Sequence, residues 1–179
     1  AAKLQKFNAL NGGISREVKF SYLLQTILKK DSFHNELENL LEDYHDEMKT
    51  ALLSADIAPG LHKVRKRFKN QLFTVVSGGN EIELNELFGK LNIVQYFDGG
   101  IYGSPRNKEK IIEYLKLNNK LDGPVLFIGD SRYDFEVAKK YNLDFIFLSG
   151  WTEFLEWKEF TSNNQIDVYT QLEDLLYTT

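Results

Sequence analysis

From residue 71 onward, short apolar runs rich in β-branched residues alternate with longer stretches of helical periodicity, and this alternation constrains the fold more than any other feature. The run 71-QLFTVVSGG-79 reads as a buried strand, residues 81 to 90 as a helix, and 95-QYFDGGIYG-103 as a turn with a short strand. Residues 106 to 118 read as a helix, 124-PVLFIG-129 as a strand, 133 to 141 as a helix and 144-DFIFLSG-150 as a strand. The end, 166-IDVYTQLEDLL-176, reads as a strand and a helix. Strands separated by helices of this length imply parallel βαβ units and an α/β fold with a doubly wound sheet. Such sheets bind ligands beyond the carboxyl ends of their strands, which is where chemistry is expected.

Residues 15 to 54 carry helical patterns only. Phe20, Leu23, Leu24, Ile27 and Leu28 fall at helical spacing, with Ser15 as a start signal after the Gly12-Gly13 pair. A second helix is expected from Ser32 to Ser54, with Leu37, Leu40, Leu41, Tyr44, Met48 and Leu52 on one face. The pattern divides the chain into a helical part, 1–55, and an α/β part, 56–179.

Composition excludes several function classes. The 179 residues carry a net charge of −4, which argues against a nucleic-acid surface or an anionic-membrane surface. There is no cysteine, hence no disulfide, thiolate metal site or cysteine nucleophile, and this fits a cytoplasmic protein. No apolar run is long enough for a membrane span, and AAKLQKF lacks the apolar centre of a signal peptide. The chain starts at Ala1 and its single methionine is Met48, as expected of a removed initiator or of a chain that begins partway into a gene. The basic run 63-KVRKRFK-69 reads as a solvated helix face. His34, His45 and His62 lack metal-ligand spacing, and Trp151, Phe154, Trp157 and Phe160 share a helical spacing suited to core packing. Neither a P-loop nor G-x-G-x-x-G occurs. Oligomeric state is not legible.

Three polar clusters follow apolar segments. Ser77-Gly78-Gly79 offers a hydroxyl and unobstructed N–H groups to an anion, or is a plain turn. In 103-GSPRNKEK-110, Lys108 falls in a first helical turn, where the helix dipole disfavours a cation. It is either a solvated lysine or one with an anion nearby. Taken singly, both clusters fit the plain reading better. The third, 125-VLFIGDSRYDFEVAKKY-141, places Asp130 and Asp134 at the end of an apolar strand. Paired carboxylates there repel unless a cation or donor is present. They fit a Mg²⁺ site, Asp130 binding directly and Asp134 through water, or an N-cap at Asp130 with a first-turn charge at Asp134.

In combination, a serine, a lysine and G-D-S-x-x-D, in that order, resemble the haloacid dehalogenase-like (HAD) phosphohydrolase superfamily. Its second, third and fourth motifs match Ser77, Lys108 and Gly129 to Asp134. The helical region before residue 56 looks like the α-helical cap of one subgroup. The segment 11-NGGISREVKF-20 is similar to a cap segment of phosphoglycolate-phosphatase-like members. The resemblance implies a Mg²⁺-dependent phosphatase of small phosphorylated metabolites. Ser77 and the Gly78 N–H would hold the phosphoryl group, Lys108 would neutralise it, and Asp130 and Asp134 would hold the metal. Arg16 and Lys19 of the cap could face a substrate anion.

The family's D-x-D motif, whose first aspartate attacks phosphorus, is absent from this sequence, as is any strand before the helical region. In the family that first strand lies between the strands assigned here to 71–77 and 124–129. Its omission is expected to expose two strand edges and to leave a metal ligand missing. The resemblance therefore implies a truncated phosphatase, inactive as this chain. The alternative is a non-catalytic anion-binding module of the same fold. A phosphate-accepting signalling domain fits less well, since it has no helical insertion ahead of its aspartate.

Overall fold

The computed structural model describes residues 2–177, and of residues 49, 50, 52 and 53 the backbone only. Leu52, expected on the apolar face of the second helix, therefore has its side chain outside the described residues.

Three helical segments come first: α1 (Ala2–Leu10), α2 (Arg16–Tyr22) and α3 (His34–Leu53). Nothing in the sequence pattern announced α1; it stacks Phe7 on Tyr22 of α2 with ring centroids 3.7 Å apart. Ser15 caps α2 by accepting a hydrogen bond from the Val18 N–H at 3.4 Å. Past Tyr22 the helix widens into a π turn, Leu23–Ile27, and the Leu28 N–H donates to the Leu23 carbonyl at 2.9 Å. The widened turn breaks the expected spacing: Leu24 is buried, but Leu28 faces solvent. On α3 the expected face does turn inward, with Leu37, Leu40, Leu41, Tyr44 and Met48 half-buried.

The rest alternates: α4 (Leu61–Arg67), β1 (Thr74–Asn80), α5 (Glu81–Lys90), β2 (Gly100–Ser104), α6 (Lys108–Leu117), β3 (Leu126–Gly129), α7 (Arg132–Lys140), β4 (Asp144–Leu148), α8 (Trp157–Asn163) and β5 (Asp167–Tyr169), with a closing 3₁₀ turn at Leu172–Leu176. Every pairing is parallel, as the alternation requires. The strands form two sheets, β1-β2 and β3-β4-β5. Among the described residues, one edge of β1 and one edge of β3 are unpaired.

Helix α6 joins the two sheets. Its Ile111, Ile112 and Leu115 pack with Tyr102 of β2, Phe127 of β3, and Val137 and Ala138 of α7 in one core. Burying these side chains contributes roughly 1.5–3 kcal/mol each. The other face of β3 is bare: Leu126 is 49% exposed and Ile128 37%. A parallel strand is normally covered on both faces, so this surface is unusual.

Three expectations need correction. The strand expected over 71–77 starts at Thr74 and runs to Asn80, and it is half-buried because one edge has no partner. The basic run is more than a solvated face: on α4, Val64 is buried, Arg65 pairs with Asp98 at 2.5 Å and Lys63 with Glu173 at 2.5 Å. The aromatic set is not one helix face, because α8 begins only at Trp157. Phe154 and Phe160 pack edge-on, whereas Trp151 is 46% exposed.

Candidate active site

The carboxyl ends of β1 and β3 and the starts of α6 and α7 lie around one point, and each local sequence explains its own geometry. Gly129 ends β3 where a side chain has no room: a Cβ there would sit 2.4 Å from the Asp134 Cβ. The chain then turns into α7 through Ser131, which is the N-cap. Its Oγ accepts from the Asp134 N–H at 3.2 Å and donates to Asp134 Oδ2 at 2.6 Å, and the Ser131 N–H donates to Oδ2 at 3.2 Å. This is a capping box, with Asp134 at its third helical position. Asp130 is not the cap. The S-x-x-D pattern signalled Ser131, and sequence reading passed over it.

Lys108 opens α6 but is no surface lysine. It is 7% exposed, and its Nζ donates to Asp134 Oδ1. The anion that offsets the unfavourable dipole at this helix start is thus Asp134 itself. Both Asp134 oxygens are engaged by donors, one by Lys108 and the other by Ser131.

Asp130 is placed differently. Its backbone carbonyl accepts from Thr152 Oγ1 at 2.5 Å, while its side chain makes no ion pair among the described residues. Burial first, and then the Asp134 charge, push its carboxyl above its ordinary value; Lys108 offsets part of this.

Ser77 and Gly78 lie inside β1 rather than beyond it, where the pairing with β2 slips between Val76 and Asn80. The slip follows from Ser77 Oγ, which accepts the Gly79 N–H at 3.0 Å and turns the backbone locally. A Cβ at Gly78 would fall 2.5 Å from the Gly13 carbonyl oxygen. Gly13 has φ +81°, and a Cβ there would fall 2.8 Å from Ser131 Oγ and 3.1 Å from Lys108 Nζ. The Gly12-Gly13 pair, read from sequence only as a flexible lead into a helix, is therefore wedged between Gly78 of β1 and the Lys108–Ser131–Asp134 cluster.

Arg16 does not join that cluster. Its guanidinium grips Glu83 of α5 at 2.6 and 3.2 Å and lies 4.9 Å from the centre of the Tyr44 ring. Glu83 also meets His45 Nδ1 at 2.9 Å. Glu83 lies 67 residues from Arg16, and no sequence signal pointed to it.

Whether these residues suit Mg²⁺ can be judged from their donors. A hard divalent ion needs several oxygen ligands. Asp130 offers a carboxylate free of ion pairs, but Asp134 is already engaged. Among the described residues no group of three or more His, Asp or Glu side chains could hold an ion. The residues present do not by themselves make a magnesium cradle.

The family model of haloacid dehalogenase-like hydrolases matches residues 11–148, and the chain belongs to that family. No curated protein matches the sequence. Two solved structures show the same fold. One is a haloacid dehalogenase-like family hydrolase from Streptococcus pneumoniae, with TM-score 0.69 and 18% identity, covering 99% of this chain and 81% of that one. The other, a predicted phosphatase from Clostridium acetobutylicum, has TM-score 0.71 and 19% identity, covering 97% of this chain and 79% of that one. Among the described residues no helix is long and apolar enough to cross a membrane.

Proposed function

We propose that this chain carries the phosphate-binding half of a Mg²⁺-dependent phosphohydrolase site for small phosphorylated metabolites. Ser77 and the Gly78 N–H would hold the phosphoryl group, and Lys108 would neutralise its charge. Asp130 and Asp134 would hold the metal jointly with carboxylates that this sequence lacks. Residues 1–55 would act as a cap over the core of 56–179, with Arg16 on the substrate side. The protein would work in the cytoplasm on a small molecule, with no role for nucleic acid or membrane.

The observation that carries this reading is the convergence of Lys108, Asp130 and Asp134 at the gap between the two sheets. The unpaired edges of β1 and β3 and the bare Leu126 and Ile128 face fit a strand that completes the sheet and brings a nucleophilic aspartate. Without it, the covalent route to phosphate-ester hydrolysis has no nucleophile, and this chain alone would be inactive. The alternative is an anion-binding module without turnover. It draws on one observation: Lys108 is already neutralised by Asp134, an arrangement that is stable without any ligand.

Phosphate binding, followed by calorimetry with and without Mg²⁺, tests both readings. Binding that is lost in Lys108→Ala is the result expected. Binding that survives this change would remove Lys108 from the site.

A further inference from the structure

Deepening the phosphatase reading, and resting on it, the structure also indicates where the rest of the substrate sits. A cavity of about 290 Å³ opens beside Asp130, bounded by Leu10, Gly13, Lys19 and Trp151. This is near the lower end for small-molecule sites, so the ligand is small. Gly13 borders both this cavity and Lys108, so the cavity adjoins the proposed phosphate position.

Of the two cations at the start of α2, only one is free for a ligand. Arg16 is held by Glu83 and Tyr44. Lys19 is half-buried, lines the cavity and makes no ion pair among the described residues. Withdrawing an ammonium from water without a partner is unfavourable, so an anion placed beside it gains more than it would in open solvent. Arg132, also on the wall, is already paired with Glu136 at 2.8 Å. Asp130 and Glu153, the acidic part of the lining, repel a ligand anion and leave Lys19 as its place. Trp151, 46% exposed where a core residue was expected, offers an apolar wall for the carbon skeleton between the two anionic ends.

We propose that Lys19 selects the leaving group: the site takes small phosphomonoesters that carry a second anionic group, a carboxylate or a second phosphate, at the end remote from the transferred phosphoryl group.

The test compares binding of ethyl phosphate, 2-phosphoglycolate and propane-1,3-diol bisphosphate to this chain by calorimetry, with inorganic phosphate as reference. One or both doubly anionic ligands should bind about tenfold or more tightly than ethyl phosphate, the scale of one charge-assisted contact. The carboxylate and bisphosphate arms show which anion Lys19 prefers. Lys19→Met should bring the ratio to about one, and Lys19→Arg should keep it. A ratio of one in the parent chain, or a ratio unmoved in Lys19→Met, overturns the proposal while leaving the phosphate site intact. Failure of every ligand to bind, inorganic phosphate included, overturns the phosphate site and this inference together.

Discussion

Lys108 and Asp134 form an ion pair with side chains only 8% and 4% exposed, across the starts of two helices that belong to different sheets. A buried pair is costly to break from one side, because the remaining charge has no partner. Lys108→Met should therefore lower stability by about 3–5 kcal/mol. The double change Lys108→Met, Asp134→Leu should recover much of that loss in urea unfolding. Equal losses in both variants would mean that the charges do not depend on each other.

Asp130 makes the opposite prediction. Burial and Asp134 raise its pKa on folding, so the folded state holds its proton more tightly than the unfolded state. Its contribution to stability is then fully present below the ordinary value of 3.8 and is lost as pH rises through the raised one. Asp130→Asn should be more stable than the parent chain at pH 7, with the difference closing as pH falls toward 3.8. Urea melts across that range check the sign; a less stable variant at pH 7 would show that Asp130 is paired rather than strained.

Arg16 and Glu83 tie α2 to α5 through a two-pronged contact that is largely sheltered from solvent. A double-mutant cycle with Arg16→Ala and Glu83→Ala should give a coupling energy of about 1–3 kcal/mol. Coupling near zero would reduce the contact to an ordinary surface pair.

The parallel α/β layout was legible because each strand is a short apolar run and each helix keeps its own period. Ser15 as a helix start and the inward face of α3 followed from the same local rules. Lys108 was legible only by position: its isolated sequence fitted a surface lysine, and its burial depends on Asp134, 26 residues away. Arg16 looked like a substrate contact because the residue that engages it, Glu83, is remote in sequence. The wedge of Gly13 between Gly78 and Lys108 was likewise invisible, since a glycine pair signals freedom but not the neighbours that require it. The widening of the helix after Tyr22 had no turn residue to announce it, and so Leu28 was assigned to the wrong side.

The central claim is that this chain holds a phosphate site but lacks the carboxylate that attacks. Phosphate release from a small phosphomonoester with Mg²⁺ tests it most directly, measured on this chain and on the chain extended by the residues encoded ahead of Ala1. The account predicts no release above background from this chain and release from the extended one, abolished by Lys108→Ala. Turnover by this chain alone, reduced in Asp130→Ala, would contradict it.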